Sequence, residues 1–135
     1  MCSFALAAGK ESILIDELEI ISQQNHPFTL QPSGLSYFPS SSTLFLAFDN
    51  PLPYIQLQQH IVSTIKISLP ALKRNMAIAA VPHLTLAKGI SPGEAEDLVN
   101  QLTTPGSWSA YSFSKLSLMI EQGGKMREMR SWLLK

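Results

Sequence analysis

The chain has 135 residues, 45% of them apolar and 15% charged, with ten basic and ten acidic side chains. That length suits one domain (residues 1–135) whose core needs no disulfide or metal staple, and the composition excludes an intrinsically disordered chain. No apolar run approaches the ~20 residues that span a bilayer, and no basic segment leads into a signal-like apolar stretch, so a soluble, cytoplasmic chain without membrane contact is expected. Cys2, the only cysteine, has no partner for a disulfide or a thiolate zinc site and reads as a small apolar strand residue.

Cys2 to Ala8 is short and mostly apolar, and predicts a strand. Glu11 to Gln24 predicts a helix, because Leu14, Leu18 and Ile21 fall on one face. His26-Pro27 ends it, since a proline biases the preceding residue away from helical geometry. Phe28 to Phe38 reads as an edge or bulged strand around Pro32 and Gly34, followed by a turn at Pro39–Ser42 and a β-rich run from Thr43 to Phe48. Tyr54 to Ile65 carries a helical stripe of Tyr54, Leu57, Ile61 and Ile65. Residues 66–82 are less legible, with Ala77 to Val81 a strand start or a loop.

His83 to Lys88 is a short strand by pattern. Ser91-Pro92-Gly93-Glu94 is a capping box with proline at the first helical position, and Leu98 and Leu102 continue that helix's buried face. Tyr111 to Glu121 and Met126 to Leu134 are two strands around the turn pair Gly123-Gly124. Strands thus come partly as adjacent hairpins and partly separated by helices, which favours an α+β fold over a regular parallel array.

Charge is uneven along the chain: residues 1–50 carry −4 and residues 51–135 carry +4. The second half therefore permits a basic face for an anionic ligand, with Lys88, Lys115, Lys125, Arg127 and Arg130 as its sources. A solvated basic face is the competing use. Trp108, Tyr111 and Trp132 suit either base stacking or packing.

The most informative stretch is His83-Leu84-Thr85-Leu86-Ala87-Lys88. On a strand, residues two apart face the same way, so His83 and Thr85 point together, away from Leu84 and Leu86. An imidazole beside a hydroxyl can hold a phosphate and exchange a proton with it near neutral pH. The competing use is a histidine that follows Pro82 and hydrogen-bonds a neighbour. His26 and His60 are expected at the boundary or in solvent. No His/Asp/Glu spacing suggests a metal, and neither a G-x-x-x-x-G-K loop nor a G-x-S-x-G elbow is present, so no cofactor or metal is expected.

Val81-Pro82-His83-Leu84-Thr85-Leu86-Ala87-Lys88 resembles the second catalytic motif of the 2H phosphoesterase superfamily, the group of 2′-5′ RNA ligases and cyclic nucleotide phosphodiesterases. Pro27-Phe28-Thr29-Leu30, Ser33-Gly34-Leu35, Phe38-Pro39 and the strand Thr43 to Phe48 are similar to that family's middle segment. Phe113 to Met119 is similar to the strand that follows its second motif. The resemblance covers nearly the whole chain in the expected order.

It implies a bilobal α+β fold, with antiparallel sheets facing a central cleft and helices outside. Each half supplies one His-x-Thr or His-x-Ser motif. The two imidazoles act as base and acid on a 2′,3′-cyclic phosphate or a 2′-5′ linkage, without a metal, while the hydroxyls hold phosphate oxygens. The second-motif roles carry over to His83 and Thr85, and the implied partner is a nucleotide or an RNA end with a cyclic phosphate. The first motif should lie near Cys2 to Ala8, where no histidine stands. The gap coincides with the absence of a whole N-terminal strand and helix, which favours a chain that begins late over a diverged member that lost half its site. An exposed N-terminal strand would then favour self-association. A non-catalytic nucleotide or RNA-end binder on the same fold, and a partner-binding domain with a vestigial cleft, are the competing functions.

Overall fold

The computed structural model describes residues 2–3, 5–6, 9–71, 77–78, 81–102 and 108–135. In chain order the elements are β1 (Cys2–Ser3), α1 (Glu11–Gln24), β2 (Phe28–Leu30), β3 (Pro32–Phe38), a 3₁₀ turn (Pro39–Ser41), β4 (Thr43–Phe48), α2 (Leu52–Ser68), β5 (Ala77–Ile78), β6 (His83–Lys88), α3 (Pro92–Leu102), β7 (Tyr111–Phe113), β8 (Lys115–Gln122) and β9 (Lys125–Leu133). The architecture is α+β. The registered pairs β1–β5, β3–β4, β4–β6 and β8–β9 are all antiparallel, and β2 pairs with β7.

Several elements differ from the sequence expectation. The strand predicted over Cys2 to Ala8 is β1 at Cys2–Ser3; Ala5 and Leu6 are outside any strand, and residues 4, 7 and 8 are outside the described residues. The single strands predicted over 28–38 and 111–121 are each split, at Gln31 and at Ser114. Gln31 and Ser114 turn their carbonyls to the amides of Asp49 (2.8 Å) and Leu134 (2.9 Å). Helix α2 runs beyond Tyr54–Ile65 at both ends. Of Ala77 to Val81, Ala77–Ile78 is strand and residues 79–80 lie outside the described residues.

The chain divides into two compact units: residues 1–28, 55–79 and 113–135 form one, and residues 29–54 and 80–112 the other. In the first, Leu14, Leu18 and Ile21 of α1 bury the predicted stripe against Ile65, Leu69 and Trp132, with Leu57, Ile61, Leu116 and Leu118 packed around them. Fully burying each such aliphatic side chain stabilises the fold by about 1.5–3 kcal/mol. At the end of α1, Asn25 Nδ2 donates to Ile21 O (2.7 Å), and the Lys135 amide is shared by Ser22 O (3.2 Å) and Asn25 O (3.0 Å). The β8–β9 hairpin turns on Gly123 (φ 59°) and Gly124 (φ 75°). Two successive positive φ values are what a two-residue hairpin turn of matching twist demands.

The second unit is built on the sheet β3-β4-β6. Its register pairs Leu35 with Leu46 and Tyr37 with Leu44, so these four share one face. Leu35, Leu44 and Leu46 are buried there. Tyr37 Oη donates to Ile90 O (2.8 Å) just ahead of α3, which puts α3 and its buried Ala95 on that side. Of the two residues expected on this helix's buried face, Leu98 is half-buried and Leu102 is 49% exposed, because the buried stripe of this short helix runs through Ala95 and does not reach its last turn.

The capping box at the start of α3 is formed as predicted. Glu94 N donates to Ser91 Oγ (3.4 Å), while Glu94 Oε2 accepts from the Ser91 amide (3.0 Å) and hydroxyl (2.6 Å). The Ser91 hydroxyl, and next its amide, hold the Glu94 carboxyl below the usual carboxylate range. A depressed folded-state pKa means the cap contributes at neutral pH and is lost as pH falls through that value. Ser91→Ala should cost about 1 kcal/mol of stability. Denaturation midpoints at pH 7 and in mild acid check this: the wild-type advantage over Ser91→Ala should shrink on acidification.

Candidate functional site

His83 opens β6, and Pro82 before it supplies no backbone donor. The register pairs His83 with Ala47 and Thr85 with Phe45, and Ala47 and Phe45 with Gly34 and Ser36. Directly opposed residues share a face. His83 and Thr85 therefore lie side by side on the sheet face opposite α3, as their spacing predicts. Thr85 is exposed and His83 half-buried.

The floor around His83 is aromatic. Phe38 and Phe45 are stacked, with centroids 4.0 Å apart and planes 17° apart. The His83 ring meets both edge-on, at 5.3 Å and 82° from Phe38 and at 5.5 Å and 67° from Phe45. His83 Nδ1 lies 2.9 Å from Val81 O. A carbonyl only accepts, so Nδ1 carries the hydrogen, and Nε2 is left as the lone-pair nitrogen of the neutral ring. A nitrogen of that kind takes up a proton and, once charged, gives it back.

A bulge adds a residue that sequence reasoning missed as part of this face. The pairing shifts between Leu44 and Phe45, so that Phe45 opposes Thr85, Leu44 opposes Ala87, and Thr43 opposes Lys88. Thr43 and Phe45 share a face, and the extra residue Leu86 brings Lys88 onto the same side as Thr85. Unbroken alternation would have turned Lys88 away. One imidazole, one hydroxyl and one ammonium thus project from the same face of a single strand. That set can bind an anion and exchange a proton with it.

The remaining candidates have other partners. His60 Nδ1 is 3.0 Å from Asn25 Nδ2, and His26 Nδ1 is 2.5 Å from Lys135 O; both histidines belong to the other unit. Lys115 pairs with Glu128 (3.0 Å), whose carboxyl is held low first by the Ser117 hydroxyl and then by Lys115. Arg130 pairs with Glu19 (3.3 Å) and lies over the Trp132 ring at 5.5 Å. Lys125 and Arg127 are exposed on β9. Trp132 is core, Tyr111 meets Phe48 edge-on at 5.8 Å, and the Trp108 carbonyl accepts from Gln31 Nε2 (2.9 Å). Packing thus accounts for Trp132, while Tyr111 stays exposed beside its one ring contact. Among the described residues no three His, Cys, Asp or Glu side chains could hold a metal ion together, and no helix is long and apolar enough to cross a membrane.

Comparison with solved structures places this fold beside Escherichia coli LigT. The LigT complex with 3′-AMP is similar at TM-score 0.60 and 20% identity, over 96% of this chain and 70% of that one. The LigT complex with NADP+ gives TM-score 0.61 at the same identity and coverage. A structure described as a phosphoesterase gives 0.62 at 20% identity, over 96% of this chain and 71% of the other. Comparison with curated proteins returns no match. The profile of the 2′-5′ RNA ligase superfamily matches residues 5–125, and the chain belongs to that family.

Proposed function

We propose that this chain is a cytoplasmic 2′-5′ RNA ligase-like phosphoesterase, residues 1–135 forming one such domain, whose β6 face is the second half of a phosphate site. The observation that carries the reading is the pairing of His83, with Nε2 free of any partner among the described residues, and Thr85 on one strand face. His83 is the proton carrier for a 2′,3′-cyclic phosphate or a 2′-5′ linkage. Thr85 donates its hydroxyl to a phosphate oxygen, and Lys88 supplies positive charge. The solved LigT complexes with 3′-AMP and NADP+ support a nucleotide as the ligand class. Self-association through β1 belongs to the same reading, since among the described residues β1 is paired only with β5.

A specific observation also favours a second reading, a non-catalytic nucleotide or RNA-end binder. The chain has three histidines, and the other two sit in the other unit against Asn25 and Lys135. Acid–base chemistry on a phosphodiester needs one group to take a proton and another to give one. Incubation with 2′,3′-cyclic AMP in EDTA, followed by chromatography, separates the two. Slow, metal-independent hydrolysis that disappears in His83→Ala supports the phosphoesterase. Binding of 3′-AMP without hydrolysis supports the binder, and neither binding nor hydrolysis contradicts both.

A further inference from the structure

We propose that Phe38 and Phe45 are positioning residues for His83: the stacked pair holds the imidazole so that Nδ1–H stays on the Val81 carbonyl and Nε2 faces the ligand. The inference rests on the reading of His83 as a phosphate-contacting proton carrier. Phe45 is 5% exposed, so it offers no surface to a ligand, yet it stands directly opposite Thr85. What it touches on that face is Phe38 at 4.0 Å and His83 at 5.5 Å. The residue opposite His83 is Ala47. A side chain that small leaves the imidazole room to lean along the strand onto its diagonal neighbour, a reach open to aromatic rings.

Three contacts then define the ring: the rims of the two stacked phenyl rings, beside which it lies, and one carbonyl. Near-perpendicular planes at these separations are the T-shaped arrangement that aromatic pairs favour. Without the two phenyl rings, the Val81 hydrogen bond is the sole restraint, and rotation about the Cβ–Cγ bond breaks it. A displacement of about 1 Å at a reacting group can cost on the order of 100-fold in rate, so a ring restraint of this kind is functional as well as structural.

The test uses the full chain, Phe38→Leu and Phe45→Leu, with Phe28→Leu as a control from the separate Phe28–Phe113 stack. Long-range ¹H–¹⁵N NMR reads the tautomer of the His83 ring, and 3′-AMP titration reads affinity. In the wild type the neutral ring should be the Nδ1–H tautomer. Phe38→Leu and Phe45→Leu should each give a mixture of tautomers and weaken 3′-AMP about 5- to 10-fold, the order of one edge-on aromatic contact, whereas Phe28→Leu should do neither. If Phe45→Leu fails to fold, the half-buried Phe38 carries the test alone. An Nε2–H tautomer in the wild type, or an unchanged tautomer in Phe38→Leu, overturns the proposal. Absence of 3′-AMP binding to a wild type with the expected tautomer, lost in Phe38→Leu, would sink the phosphate reading and leave the aromatic restraint standing.

Discussion

His83→Ala should lower any hydrolysis of 2′,3′-cyclic AMP by about 100- to 10,000-fold, the range that one positioned acid or base contributes. The side chain is half-buried at the start of an edge strand, so its loss should leave the circular dichroism spectrum and the thermal midpoint near wild type. Thr85→Val is the milder partner substitution. It removes one donor to a charged oxygen and should weaken 3′-AMP by roughly 10-fold, in line with about 1.5 kcal/mol for such a bond. Lys88→Met should weaken it further at low salt and lose that effect at high salt, because an exposed ammonium acts through a screened field. A Lys88→Met protein with wild-type salt dependence would show that the bulge at Leu86 does not bring this charge to the ligand.

The largest expected effect on stability is at Leu46. It is 0% exposed on the central strand of β3-β4-β6, opposite Leu35 and Leu84. Leu46→Ala should cost about 3 kcal/mol, from lost burial and the cavity left behind, which is a factor of about 100 in the folding equilibrium. Leu84→Ala, on the same face but 40% exposed at the edge strand, should cost under about 1.5 kcal/mol. Urea denaturation of both variants checks the ratio. Similar losses at both positions would mean that the α3-covered face extends over β6 more fully than its exposure indicates.

Much of the local structure was legible because it depends on neighbours in sequence. The stripe Leu14, Leu18, Ile21 is one helical face, the Ser91–Glu94 box closes within three residues, and Gly123-Gly124 meets the backbone demand of a tight hairpin. The shared face of His83 and Thr85 needed only the two-residue period of a strand. What was missed depends on pairing across strands. The extra residue at Leu86 that turns Lys88 onto the His83 face is fixed by the register against β4. The breaks at Gln31 and Ser114 fall where the chain passes from the β2–β7 pair to the β3–β4 and β8–β9 pairs, a change of partner set by strands far away in the chain. Leu102 fitted a helical stripe by spacing and is exposed all the same, since periodicity says where a residue points and not how far its cover extends. The aromatic pair under His83 was equally hidden: Phe38 and Phe45 belong to different strands, and only their folded alignment brings them to the same ring.

The His83–Thr85 face of β6 should bind a nucleotide phosphate. Titrating 3′-AMP into ¹⁵N-labelled protein while following backbone amides tests it most directly. The largest shifts should fall at His83, Thr85 and Lys88, and they should be lost in His83→Ala. Shifts confined to other strands, or an affinity that His83→Ala leaves unchanged, would contradict it.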